Sequence, residues 1–205
     1  MTTTHHGVFA MHLHRLAFAA VLLLASPALA LDAGDRSFGP GRVGAIVKDA
    51  TQPAELARIY GAGNVSYEKV HLAEGEYRQG AYIYRGTANE LQVGFTEDGK
   101  KIEFVRIAGN GWKSKEGIRI GTTLAELERI NGGPFKFLGF GWDNGGNVVN
   151  AAKLPKGVVI SLSPTRNRES KQAQQVQGDN EFSSRHPALK SLGVVVSGLT
   201  VVFGP

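Results

Sequence analysis

Thr122-Thr-Leu-Ala-Glu-Leu-Glu-Arg-Ile-Asn-Gly132 decides how this chain is read, because Thr51-Gln-Pro-Ala-Glu-Leu-Ala-Arg-Ile-Tyr-Gly61 repeats it. Laid together without a gap, the two stretches share Thr, Ala, Glu, Leu, Arg, Ile and Gly, seven of eleven positions. An ungapped match of this kind marks an internal duplication. Each copy reads as a short helix. Thr51, and Thr122 or Thr123, stand where a cap is needed, with Glu55 or Glu126 behind them to complete a capping box. Pro53 falls in the first turn, where its missing N–H costs nothing. Leu56 and Ile59 repeat as Leu127 and Ile130, giving an apolar edge, and Gly61 and Gly132 stop the helices. Helices this short need a surface to pack on.

Outward from the helices, the chain reads as strands. Short strands at residues 42–47 and 117–121 precede the two copies. Residues 65–72, 81–85, 91–95 and 101–107 follow the first. Leu91, Val93 and Phe95 alternate with polar or small residues, the mark of a half-buried strand, and Asp98-Gly99 is a hairpin turn. Residues 135–142, 147–151, 157–162 and 194–203 follow the second, the last bulged near Gly198, with Asp143-Asn-Gly-Gly146 as a hairpin turn. The expected class is α+β: two tandem repeats, residues 31–108 and 109–205, each a short helix on a roughly four-stranded antiparallel sheet. Such a sheet buries one face and leaves the other open. The second copy inserts a polar run at residues 164–180, which reads as disordered because apolar anchors are missing from it. Pro187-Ala-Leu-Lys-Ser-Leu192 reads as a helical turn ended by Gly193.

The N-terminus reads as an address. Met11-His-Leu-His-Arg15 is followed by nine apolar residues, Leu16 to Leu24, then Pro27 and the small-x-small pattern Ala28-Leu-Ala30. That is a cleaved signal peptide over residues 1–30, too short in its apolar run to span a bilayer. It points to a periplasmic or secreted protein with no transmembrane segment in its mature part. No cysteine is present, so stability in an oxidising compartment rests on the core alone.

Ile118-Arg-Ile-Gly-Thr-Thr-Leu-Ala-Glu-Leu-Glu-Arg-Ile-Asn-Gly-Gly-Pro134 resembles the hydrophobic-x-x-Gly-Met-Thr-x-x-Asp/Glu-Val/Leu…Gly-x-Pro signature of the outer-membrane-assembly lipoproteins of the BamE (SmpA/OmlA) group. The β-lactamase-inhibitor protein family is similar in carrying such a helix-plus-sheet unit in tandem. Thr122 stands in place of the Met, and there is no cysteine to acylate or to pair. The resemblance implies a non-enzymatic protein that binds another protein through an open sheet face and its loops, as an inhibitor or an envelope-assembly factor.

The residues themselves offer little catalytic chemistry. Beyond the leader the only histidines are His71 and His186, without the spacing of a metal site. Gly-x-Ser-x-Gly, phosphate-loop and His-Glu-x-x-His patterns are absent. The net charge of +5 is spread among acids, and no nucleic-acid-binding module is recognisable. No cofactor is expected. Binding is instead assigned to an aromatic hairpin, Phe137, Phe140, Trp142, Asp143 and Asn144, with Tyr82, Tyr84 and Asp98 from the first copy, since aromatics anchor protein interfaces. The competing readings are an enzyme with an unrecognised carboxylate site, or a binder of a small ligand or cell-wall polymer.

Overall fold

The computed structural model describes residues 1–3, 33–72 and 74–204. The chain divides into Met1–Ala30 and Leu31–Pro205. The signal peptide read at residues 1–30 lies outside the described residues apart from the first three, and the fold is that of the second unit. Its class is the expected one, α+β with few helices and several antiparallel sheets.

Helices form where the two similar stretches lie, as α1 (Leu56–Tyr60), entered through a 3-10 turn at Pro53–Glu55, and α2 (Leu124–Asn131). Equivalent positions do equivalent work. Leu56 and Leu127 are fully buried. Glu55 Oε2 accepts from Gln52 N, and Glu126 Oε2 from Thr123 N, each at 2.9 Å. Both helices end on a glycine with positive φ, 86° at Gly61 and 77° at Gly132. One assignment changes. Thr123 caps α2, but Thr51 does not cap the first helix, where Gln52 takes the N-cap position. Thr51 and its counterpart Thr122 are buried instead, and their hydroxyls accept from Val47 N (3.0 Å) and Arg119 N (2.9 Å). Each thus satisfies a backbone donor shortly before its helix that would otherwise need another partner.

The strands do not sort into two four-stranded sheets. The first copy supplies β4 (Val65–His71), β5 (Tyr77–Ile83), β6 (Leu91–Phe95) and β7 (Ile102–Ile107). The second adds β11 (Val158–Ser163) and β13 (Val195–Val202) to the same sheet, in the order β11-β13-β7-β6-β5-β4, antiparallel throughout. The join is β7 against β13, with Val105 opposite Val201 and Ile107 opposite Leu199. These four residues are buried on one face, so joining the sheets here makes a single apolar surface that α1 and α2 help to cover. The expected bulge in β13 is present beside Gly198, where Ser161 pairs Gly198 and Leu162 pairs Val196.

What remains of the second copy forms a separate sheet. β9 (Lys136–Leu138) pairs with β10 (Val148–Asn150) on one side and β12 (Glu181–Ser183) on the other. A third sheet joins β1 (Ser37–Gly39), β2 (Arg42–Val43), β3 (Ile46–Val47) and β8 (Lys113–Ser114), with β1 and β8 parallel. The single strand expected at 42–47 is therefore two, folded back at Gly44, and residues 117–121 form no strand. The polar run at 164–180 is not a disordered loop. Ser170 caps a short helix, α3 (Lys171–Gln174), and Ala173 and Val176 are buried. Hydrogen bonds from Thr165 Oγ1 to the Gly193 carbonyl (2.7 Å) and from Asn167 Nδ2 to the Ser191 carbonyl (2.9 Å) tie down the start of the run.

Candidate functional site

Alternation puts Leu91, Val93, Val105, Ile107, Leu199 and Val201 into the core, so the intervening residues must face the other way. Strand pairing places them in continuous rows. One row runs Tyr82, Gln92, Arg106, Thr200, Val159 across five strands, and a second runs Gly80, Gly94, Phe104, Val202 across four. On the β7-β13-β11 side this outer face is a groove of about 580 Å³. Its floor is Phe104, Arg106, Thr200, Val202, Val159 and Ser161, and Leu72, Asp143 and Asn144 stand at its margin. Val159 and Val202 remain 37% and 39% exposed. Valines left in the open on a sheet face mark a surface that something else can cover.

The charges in the groove are unevenly matched. Glu103 is held by Arg78 at 2.7 Å. Arg106 has no carboxylate within ion-pair distance among the described residues. Its Nη1 donates to the His71 carbonyl (3.0 Å) and to Gln92 Oε1 (3.1 Å), and its guanidinium lies 5.7 Å from the Phe104 ring centroid. Burial pushes the Arg106 pKa below the ordinary arginine value, with Tyr82 acting weakly in the opposite sense. Asp143 is exposed at the margin. The carboxyls that line the groove are therefore an ion-paired Glu103 and a solvated Asp143, and neither is buried. Among the described residues no group of three or more His, Asp or Glu side chains is placed to hold a metal ion, and no helix is long and apolar enough to cross a membrane.

The residues assigned to binding from sequence are scattered by the fold. Phe137 is fully buried and Phe140 nearly so, packed together at 5.2 Å between ring centroids, with Phe182 of β12 against Phe137. They belong to the core of the small sheet: β12 extends that sheet beside β9, setting Phe182 directly opposite Phe137, and Ala173 and Val176 from the polar run join the same buried cluster. Trp142 is 39% exposed, and its Nε1 donates to the Gly139 carbonyl at 2.9 Å, which holds the tip of the hairpin in shape. Asp143 and Asn144 are on the groove margin. Tyr82 begins the outer row, but the Arg85 guanidinium lies 3.7 Å over its ring, fixed there by two hydrogen bonds to Glu68. Tyr84 packs edge-on against Tyr60 and under Arg36. Asp98 accepts from Thr96 Oγ1 and Lys100 N within its own turn and does not line the groove.

Sequence reading missed Arg106, Phe104, Thr200, Val159 and Val202. Half the signal was present, since Phe104 and Arg106 lie two apart on the outer phase of a strand whose inner phase is apolar. The other half, that β7 pairs with β13 some 90 residues later, is a long-range pairing that no local pattern records. A second cavity of about 620 Å³, more apolar, lies between α2 and the turn at Pro187–Ser191. Its one acid, Glu128, is already engaged by Ser184 Oγ at 2.5 Å and Arg185 at 3.7 Å.

No family model matches the chain, and no curated protein sequence does. Among solved structures it is similar to the uncharacterized protein yfeY from Escherichia coli, at 15% identity and a TM-score of 0.46, over 81% of this chain and 97% of that one.

Proposed function

We propose that this is an exported, non-catalytic binding protein that holds a protein partner in the groove on the outer face of its six-stranded sheet. The observation that carries the reading is the groove itself. Three adjacent strands, β7, β13 and β11, form its floor, two valines on it are left open, and the Asp143-Asn144 tip stands beside them. Binding surfaces built on strands hold their geometry better than those built on loops. Export follows from the leader-like residues 1–30, and the partner would then belong to the cell envelope. The equivalent roles of Thr51 and Thr122, Leu56 and Leu127, and Glu55 and Glu126 support descent from a duplicated unit of the kind found in the BamE and β-lactamase-inhibitor families. In this proposal the duplicated stretches are scaffold, and the site lies where strands of both copies meet.

The test is site-specific photo-crosslinking in envelope extract. A photoreactive residue at Val159 should give a discrete protein adduct, and one at the exposed Lys115 should not. Thr200→Trp, which fills the floor, should remove the Val159 adduct. Equal labelling from both positions, or an adduct indifferent to Thr200→Trp, overturns the reading.

A further inference from the structure

Arg106 occupies the middle of the outer row, with Gln92 on one side and Thr200 on the other. Its guanidinium has five N–H donors and no capacity to lose its charge in a protein. Nη1 spends both of its hydrogens on the His71 carbonyl and Gln92 Oε1. Nε and Nη2 make no hydrogen bond among the described residues. Those two nitrogens form the fork that meets a carboxylate through two parallel bonds. Two acids are near, and neither supplies it: Glu103 is taken by Arg78 and Asp143 is exposed at the margin. A half-buried charge without a counter-ion is a cost that the fold retains, and here it faces a groove with open space.

We infer that Arg106 is the receptor for a carboxylate, presented by an acidic side chain of the bound partner and flanked by apolar residues that cover Val159 and Val202. The chemistry is complementary on each count. Nη1 is fastened, so the plane of the fork is set before the ligand arrives, which lowers the ordering cost of binding. Phe104 and the two valines exclude water around the ion pair, which strengthens it. The neighbouring Thr200 hydroxyl is a further donor in the same row. Neutral oxygens would accept from the fork but leave its charge uncompensated on closing, and phosphate-like dianions, with twice the charge, would be repelled more strongly by Glu103 and Asp143 in the same groove. This inference rests on the protein-holding reading for the source of the carboxylate, but not for the site.

The experiment uses two terminally blocked peptides, Ac-Leu-Glu-Leu-NH2 and Ac-Leu-Gln-Leu-NH2, with glutarate as a small free carboxylate, titrated into the whole protein. Binding is followed through the Arg106 Nε–Hε resonance and the β7 and β13 amides. The Glu peptide should shift these resonances saturably, and the Gln peptide should bind at least about tenfold more weakly. Arg106→Gln should abolish the difference between the peptides, and Arg106→Lys, which keeps the charge without the fork, should reduce it. Indistinguishable peptides, or resonance shifts confined to residues outside the groove, overturn the inference, and this comparison on the unaltered protein stands even if a variant fails to fold. The two proposals fail separately. A Thr200-sensitive crosslink with indistinguishable peptides removes the carboxylate site and keeps the protein-holding reading. Saturable binding of glutarate and the Glu peptide with no crosslink keeps the site and removes the protein partner.

Discussion

Gln92 Oε1 accepts a hydrogen bond from Arg106 Nη1 at 3.1 Å, between residues directly opposite each other on β6 and β7. An amide at position 92 orients the guanidinium without neutralising it. Gln92→Glu would place a carboxylate at that spot and supply the missing counter-ion from within. The new pair would gain up to about 1 kcal/mol as a partly exposed one. Loss of the Gln92 Nε2 bond to Glu90 Oε1 (3.2 Å) and carboxylate repulsion there offset it, so a small net change in thermal stability is expected, with loss of binding of the Glu peptide. Calorimetric titration beside a melting curve checks both. Retained affinity in a stable Gln92→Glu protein would show that the ligand does not use Arg106.

Gly94 and Phe104 are also opposite each other, and a Cβ at position 94 would lie 2.1 Å from the Phe104 ring. The ring therefore lies over the glycine, and the glycine is needed for that close approach. Gly94→Ala should destabilise the protein by about 1–3 kcal/mol through overpacking. In the double variant with Phe104→Ala the clash is gone, so the two effects should fall well short of additive. Urea denaturation of the four proteins decides the point, and strict additivity would mean the ring does not rest on Gly94.

Ser184 links β12 to α2 and β9. Its hydroxyl donates to Glu128 Oε1 at 2.5 Å and accepts from Phe135 N at 3.1 Å, in a buried position. Ser184→Ala strands a buried backbone donor and removes a partner from a carboxylate. A loss of about 1–3 kcal/mol is expected. Glu128→Gln keeps an acceptor for the hydroxyl and should cost less. The ranking, read from urea midpoints, fails if the two variants are equal.

The helices, the alternation of Leu91, Val93 and Phe95, and the Asp98-Gly99 turn were legible in the sequence because each is a local pattern with a local cause. The two duplicated stretches also carried their capping logic, although the residue at the cap of the first helix is Gln52 rather than Thr51. Pairing was not legible. Nothing near Ile102–Ile107 announces that Val195–Val202 will lie beside it, and the groove exists only because it does. The same blindness turned Phe137 and Phe140 into candidate anchors, since the residues that share their core, Ala173 and Val176, and the strand β12 that pairs beside β9 come from within and beyond a polar run. In that run Ala173 and Val176 are too few and too small to register as a pattern, yet they are buried.

Acid should weaken the fold through the entrances of the two similar helices. The Glu126 carboxyl is held below its ordinary value of 4.5, first by the backbone hydrogen bond from Thr123 and then by the Thr123 hydroxyl. The Glu55 carboxyl is lowered likewise, first by the Gln52 backbone and then by Arg58. Asp98 is lowered from 3.8 by Thr96 and Lys100. At Asp35 burial pushes upward, but hydrogen bonds from Ser37 and Arg42 outweigh it and the net shift is down. A carboxyl whose folded value is depressed binds fewer protons folded than unfolded. Its stabilisation is therefore complete above the ordinary values of 3.8 and 4.5, and is lost as pH falls from there through the lower folded values. The urea midpoint should be level from about pH 7 to pH 5.5 and decline below about pH 4.5. Glu126→Gln retains an acceptor for Thr123 N but cannot titrate, so it should start lower at neutral pH and decline less steeply in acid. A midpoint that holds constant to about pH 3, or a Glu126→Gln profile parallel to that of the unaltered protein, would mean that this capping carboxylate contributes nothing to folding.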